Sequence, residues 1–287
     1  MSRLGIALMR LMAPWPLPLV RALGWLLGAV LYLVVVPRRN VVRVNLALCF
    51  PRQGRWRREA LVLRVFLRFA QAWLDRSWIW HGSPELVRRR LVLAGAVDEL
   101  AGEQPTLVFA PHFVGMDAGW SALTQQVARR WVGIYTRQSN PVIDAWVLRG
   151  RHRFPSARPF GRADGVRELI AALRRGEVMY LLPDMNFGPE ESIFVPFYGI
   201  RAATVPSLSR FARLGRAKVV PVVTRLTRHG YEVRVLPAWQ GFPSDDLTAD
   251  TALMNLRLQG YIDAMPDQYY WVHKRFKTRP AGEPPVY

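Results

Sequence analysis

A chain of 287 residues that is 51% hydrophobic can bury a full core, as one large α/β domain or two small ones. Its single cysteine, Cys49, excludes an intramolecular disulfide and a cysteine-based metal cluster, and reads as a small apolar core residue. A formal charge of +19, with lysine only at 218, 274 and 277, calls for an anionic partner: nucleic acid, an anionic membrane surface or an acidic protein.

Leu17 to Val36 is apolar apart from Arg21. As a helix, such a stretch is about as long as a bilayer's hydrocarbon core is thick, with Arg21 near one end where it would snorkel. No small-x-small cleavage site follows it, which argues against a cleaved signal peptide. Arg38, Arg39, Arg43, Arg52, Arg55, Arg57 and Arg58 come next. By the positive-inside rule they place the rest of the chain in the cytoplasm. The expectation is therefore a membrane anchor over residues 1–40 and a cytoplasmic domain over 41–287. Arg3 and Arg10 leave open a helix lying in the interface, and a buried core helix is the other alternative.

Residues 55–92 read as helices. One runs from Trp56 to Trp80; a second starts at Ser83-Pro84-Glu85, with Ser83 as N-cap and Pro84 at the first helical position. Thr106-Leu107-Val108-Phe109-Ala110 reads as a strand buried on both faces. Pro111 ends it, and a helix is expected from about Met116 to Gln126. His112 then sits at a strand-to-helix turn, where open α/β sheets place their ligands. Asp117 follows five residues later. Inside one helix, that spacing would set the two side chains about 140° apart. They meet only if His112 lies in the loop and Asp117 in the first helical turn. The carboxylate would then hold one imidazole nitrogen and raise the basicity of the other, the His-Asp half of a nucleophilic triad. No Ser or Cys stands beside them, so the substrate is expected to bring its own hydroxyl. An acidic residue favoured by the helix dipole is the plainer reading of Asp117.

Further strands are expected at Trp131–Tyr135, Val178–Leu182 and Lys218–Val223, with Tyr231–Leu236 as an antiparallel partner through His229-Gly230. Asn140-Pro141 opens a helix towards Arg149. Arg137 before it, and Arg149, Arg151 and Arg153 after it, form a cationic rim suited to phosphate or carboxylate. A helix from about Gly165 to Arg174 precedes the Val178 strand. Asp184, after that strand, would orient an arginine or an acceptor hydroxyl. Phe194-Val195-Pro196-Phe197-Tyr198-Gly199 reads as an apolar loop walling a greasy pocket. Ser244 is the expected cap of a last helix ending near Met265.

His112-Phe113-Val114-Gly115-Met116-Asp117 resembles the HX4D/E motif of the lysophospholipid acyltransferase superfamily. Tyr135-Thr136-Arg137…Asn140-Pro141, Leu182-Pro183-Asp184, Val195-Pro196-Phe197-Tyr198-Gly199…Ala203-Thr204 and Trp271…His273…Arg275-Phe276-Lys277-Thr278-Arg279-Pro280 resemble the lipid A biosynthesis acyltransferases, which transfer lauroyl or myristoyl groups. The resemblance covers nearly the whole chain. Leu182-Pro183-Asp184 stands where glycerophospholipid acyltransferases carry an FPEG-type motif. The resemblance implies an αβα fold, a mostly parallel sheet flanked by helices behind an N-terminal anchor. It implies an acyl-acyl carrier protein donor, an anionic Kdo-bearing lipid A precursor as acceptor, and no cofactor or metal of the enzyme's own. His112 would be the general base and Asp117 its orienting acid. Arg137, Asn140, Arg153, Asp184 and Thr204 would bind substrate, with backbone amides near Gly115 or an arginine at the oxyanion. Another glycolipid or lysophospholipid acceptor is the alternative within this chemistry. A basic membrane-associated nucleic-acid binder is the alternative outside it, but no helix-turn-helix, zinc-finger or RNP signature supports nucleic acid.

Overall fold

The computed structural model describes residues 2–161 and 165–287. The chain begins with helices α1 (Ser2–Met12), α2 (Leu17–Val34), α3 (Val36–Cys49), α4 (Arg55–His81) and α5 (Pro84–Arg90). The α/β part follows as β1 (Leu91–Gly95), β2 (Thr106–Phe109), α6 (Met116–Gln126), β3 (Trp131–Tyr135), α7 (Pro141–Arg151), β4 (Ala157–Gly161), α8 (Val166–Arg174) and β5 (Val178–Leu181). It closes with β6 (Ile193–Phe197), β7 (Ile200–Thr204), α9 (Ser207–Gly215), β8 (Lys218–Thr227), β9 (Gly230–Val235) and α10 (Leu247–Ala264).

Seven strands form one sheet in the order β1-β9-β8-β2-β5-β3-β4, parallel except for the β8–β9 pair. This is the α/β sheet expected from the alternation of strands and helices. Along β2, Leu107 and Phe109 enter one core with residues of α8, α9 and α10, while Val108 enters the other with residues of α4, α6 and α7. A strand apolar on both faces therefore sits between two helical layers. Because β5 slots between β2 and β3, the chain leaves β2 towards one edge and later returns to β2's other side at β8. The carboxyl ends of β2, β5 and β3 thus open at a switch point, the usual ligand position in such sheets.

Two strands go beyond the expected five. β4 (Ala-Arg-Pro-Phe-Gly) carries a proline and lies at the sheet's edge, where a missing donor is tolerated. β1 forms the other edge and starts at Leu91, where the helical reading of residues 55–92 ends. The apolar loop expected at 194–199 is a hairpin instead. Phe194 faces Ala203, and Tyr198 and Gly199 turn it with φ of 52° and 77°. The hairpin packs on α10, and its Phe197 is core; neither Phe194 nor Phe197 lines the cavity described below. Asp246, not Ser244, caps α10, accepting from the Thr248 and Ala249 amides. Ser244 instead bonds Asp250.

The N-terminal helices belong to the same body. α2 lies along α4 so closely that a Cβ on Gly24 or Gly28 would stand 2.7 Å and 2.6 Å from the Cα atoms of Gln71 and Leu67. The expected boundary at residue 40 falls inside α3. Arg21 does not snorkel. It is buried against Asp75 of α4, with Nε–Oδ1 at 2.9 Å and Nη2–Oδ2 at 2.8 Å, while Tyr231 Oη donates to the same carboxylate at 2.7 Å. α2 is buried only along that flank. Leu19, Trp25, Leu26, Val30, Leu33 and Val34, with Leu4, Leu8 and Leu11 of α1, are exposed.

Candidate active site

A cavity of about 900 Å³ opens at the carboxyl ends of β2, β5 and β3. His112, Met116, Asp117 and Trp120 line one side, and Tyr135, Thr136, Gln138 and Arg151 the next. Ile134, Val166, Leu169, Leu181, Phe187 and Phe211 give it an apolar limb between α8 and α9. A more open hollow of about 510 Å³ lies at the other end of the sheet, beside Thr124–Arg130 and Phe154–Ser156. Among the described residues its lining holds no histidine or carboxylate.

His112 leaves β2 through Pro111 and stands on the loop before α6, as expected. The residue that grips it is Asp184, on the loop after β5. The Asp184 carboxylate accepts the His112 backbone N–H at 3.0 Å through Oδ2, and meets ring Nδ1 at 2.7 Å through Oδ1. An ionised carboxylate only accepts, so Nδ1 carries the proton and Nε2 keeps its lone pair. Asp184 is fully buried. Burial alone would favour its neutral form, but the positive charge the His112 ring carries when protonated, and the hydrogen bonds from its ring and backbone, outweigh that and hold the carboxyl below its ordinary range.

Asp117 lies in the first turn of α6 but does not hold the imidazole. Oδ2 takes Arg76 of α4, from Nη2 at 2.6 Å and Nε at 2.9 Å; Oδ1 takes Arg151 Nε of α7 at 2.9 Å. Burial raises the carboxyl's pKa, and Arg151 and Arg76 more than reverse this, holding it at about 2. The expected His112–Asp117 pair is therefore replaced by His112–Asp184, because two guanidinium groups from distant helices claim Asp117.

The C-terminal segment braces the turn. Tyr270 N–H donates to the His112 carbonyl at 3.0 Å, Val114 N–H to the Gln268 carbonyl at 2.8 Å, and Phe113 bridges Tyr269. His273 Nε2 accepts the Asn186 N–H at 3.0 Å and so ties down the loop bearing Asp184. Burial, then Arg275, lowers the His273 pKa to about 4, so it is neutral and accepts.

The other sequence-predicted residues have separate positions. Arg137 is exposed at the rim between Thr136 and Gln138, which both line the cavity. Asn140 caps α7, accepting from Val142 and Ile143 at 3.0 and 3.1 Å, so its oxygen is committed to the helix. Arg153 turns away from the site and donates to the Ile79 and Gly82 carbonyls at the end of α4. Thr204 is buried and bonds Arg275 Nη2 at 2.8 Å and Asn255 at 3.2 Å, a structural cluster outside the cavity. Gly115 does not line the cavity. A Cβ there would stand 2.7 Å from Thr224 Cγ2, so packing on β8 accounts for the glycine. Arg76 is the residue of the Asp117 cluster that sequence reasoning missed. Arg151 stood in the expected cationic rim; nothing local marks Arg76.

Residues 1–278 match the model of the family described as bacterial lipid A biosynthesis acyltransferase. The chain belongs to that family. It is an acyltransferase, of the αβα kind its sheet displays. It is 31% identical to the lipid A biosynthesis lauroyltransferase of Escherichia coli strain K12, over 99% of this chain and 94% of that one. It is 29% identical to that organism's lipid A biosynthesis palmitoleoyltransferase, over 99% and 93%. Among solved structures it is similar to the 1-acyl-sn-glycerophosphate acyltransferase PlsC of Thermotoga maritima, with a TM-score of 0.41 and 15% identity over 86% of this chain and 97% of that one.

Proposed function

We propose that this acyltransferase moves a fatty acyl chain from acyl-acyl carrier protein to a hydroxyl of a Kdo-bearing lipid A precursor, with His112 as general base and Asp184 as its orienting acid. The observation that carries this reading is the double grip of Asp184 on His112 in a cavity with an apolar limb. Among the described residues no Ser or Cys hydrogen-bonds His112, so the nucleophile is the substrate's hydroxyl. Nε2 takes the hydroxyl proton, the oxygen attacks the thioester carbonyl, and the imidazolium returns the proton to the departing thiolate. No acyl-enzyme forms, and the protein needs no cofactor. The limb lined by Ile134, Leu169, Leu181 and Phe211 takes the acyl chain.

The exposed apolar faces of α1 and α2 fit the interface of an anionic inner membrane, with Arg3, Arg10 and Arg38 at the headgroups and the sheet on the cytoplasmic side. α2 is long and apolar enough to cross a membrane. Its buried Arg21–Asp75 pair and its close packing on α4 favour an in-plane position.

Mass spectrometry of lipid A from cells lacking the protein, complemented with the unsubstituted or the His112→Ala chain, tests the proposal. One secondary acyl chain is expected to be missing and to return only with the unsubstituted chain. Unaltered lipid A with a change in another lipid class would replace the acceptor.

A further inference from the structure

We propose that Asp117, the acid of the HX4D motif, acts through Arg151 and not through His112: it holds Arg151 so that the two terminal nitrogens bind a phosphate of the substrate in the cavity that His112 faces. The inference rests on the acyl-transfer reading above and names the group through which that site recognises a substrate.

Both nitrogen-facing positions that an orienting acid would need are already allotted. His112 Nδ1 is taken by Asp184, and the two oxygens of Asp117 are taken by Arg151 and Arg76. The two arginines differ in how much of their hydrogen-bonding edge is spent. Arg76 is buried; both Nε and Nη2 bond Asp117, Nη1 reaches the Ala72 carbonyl at 3.4 Å, and the guanidinium lies 4.6 Å from the Trp73 ring centre. It is a fixed back wall. Arg151 spends only Nε. Its carbonyl accepts from Trp120 Nε1 at 2.8 Å and its guanidinium stands 5.6 Å from the Tyr135 ring centre, so its backbone and inner edge are held. Among the described residues Nη1 and Nη2 have no hydrogen-bond partner; the side chain keeps 23% of its surface exposed and lines the cavity.

The unspent edge of the Arg151 guanidinium stands at the wall of a partly enclosed cavity, where its attraction to an anion is less screened than in bulk water. Two terminal N–H groups on a fixed plane match two oxygens of a phosphate, which a lysine does not reproduce. The phosphate belongs either to the carrier arm of the donor or to the sugar headgroup of the acceptor.

Initial rates of the purified full chain, with donor and acceptor varied separately, test this on Arg151→Gln, Arg151→Lys, Asp117→Asn and the Arg151→Gln/Asp117→Asn double variant. Arg151→Gln is expected to lower kcat/KM roughly tenfold to a hundredfold, chiefly through the KM of whichever substrate carries the phosphate. Lysine should restore only part. The double variant should be no worse than the weaker single one, because both remove the same interaction. The acidic limb of the pH–rate profile should stay in place in Asp117→Asn and move in Asp184→Asn. Unchanged kcat/KM for both substrates in Arg151→Gln would overturn the proposal. So would a loss confined to kcat, or a pH profile displaced by Asp117→Asn as by Asp184→Asn. Should Asp117→Asn fail to fold, the two Arg151 variants decide alone. If the acyl-transfer reading itself is at fault, the unsubstituted chain shows no transfer, whereas failure of this inference shows transfer that ignores Arg151.

Discussion

The strand ends and the helical layer beside them use buried aspartates in opposite ways. At the strand ends Asp184 holds His112 by its backbone and its ring, with the buried Tyr269 hydroxyl beside it, and among the described residues leaves one imidazole nitrogen bare towards the cavity. In the helical layer Asp75 and Asp117 each gather groups from distant parts of the chain: Arg21 and Tyr231, with the neighbouring Trp78, around the first, and Arg76 and Arg151 around the second. Asp75 and Arg76 are neighbours on α4, so one helical turn ties α2 and β9 on one side to α6 and α7 on the other. The same side chain therefore builds a reactive group where it grips a base, and a rigid frame where several donors converge on it.

The sharpest way to break this comparison is at the strand ends. His112→Ala is expected to lower turnover about 10²–10⁴-fold in a chain that still folds, with some loss of thermal stability because the buried Asp184 carboxylate loses its partner. Near-normal turnover would remove the base. Asp184→Asn comes next. Losing a charged hydrogen bond to the imidazole should lower kcat/KM roughly tenfold to a hundredfold. The carboxyl is held below its ordinary range in the fold, so it also stabilises the protein at neutral pH, a contribution lost as pH falls.

In the helical layer the expected effect is on stability. The Asp117 carboxyl ionises at about 2 in the fold against an ordinary 3.8. Its stabilisation is complete above the unfolded value and disappears as pH falls through about 4 towards 2. That shift is on the order of 2 kcal/mol. The difference in urea stability between the unsubstituted chain and Asp117→Asn should therefore shrink between pH 6 and about pH 2; a constant difference would mean that Asp117 is not held as an anion.

The outer side of the same layer gives a smaller effect. Leu26→Glu and Leu33→Glu replace exposed leucines and leave the Arg21–Asp75 pair intact. Each leucine is worth about 1.5–3 kcal/mol when buried. Partition onto anionic vesicles at about 0.5 M salt, where charge attraction is screened, should drop tenfold or more for each. Equal sedimentation with and without the substitutions would move the membrane face elsewhere. The smallest effect belongs to Arg137. Exposed at the rim and not built into the frame, Arg137→Ala should raise one substrate's KM up to about tenfold and leave kcat alone. Identical kinetics would make it a solvated surface residue.

Local chemistry was enough to settle part of this protein from its sequence. β2, β3, β5 and β8 carry apolar runs that only a sheet covered on both faces can use. Pro111 ends β2, Asn140-Pro141 starts α7, and the spacing of His112 from the strand puts it at the sheet's carboxyl edge. Those features depend on neighbours within a few residues, so they are legible without the fold. The resemblance in the His112 and Trp271 segments carried the family. Partners separated by 72 or 41 residues were not legible. Asp184 reaches His112 because β5 inserts beside β2, and Arg76 reaches Asp117 because α4 packs against α6; neither order is written in a local pattern. The same holds for Arg21, whose place in an apolar segment suggests a snorkelling end until α4 supplies Asp75. Hydrophobic periodicity sets which face of an element is buried, whereas the pairing of a buried charge is decided by which helices and strands the topology brings together.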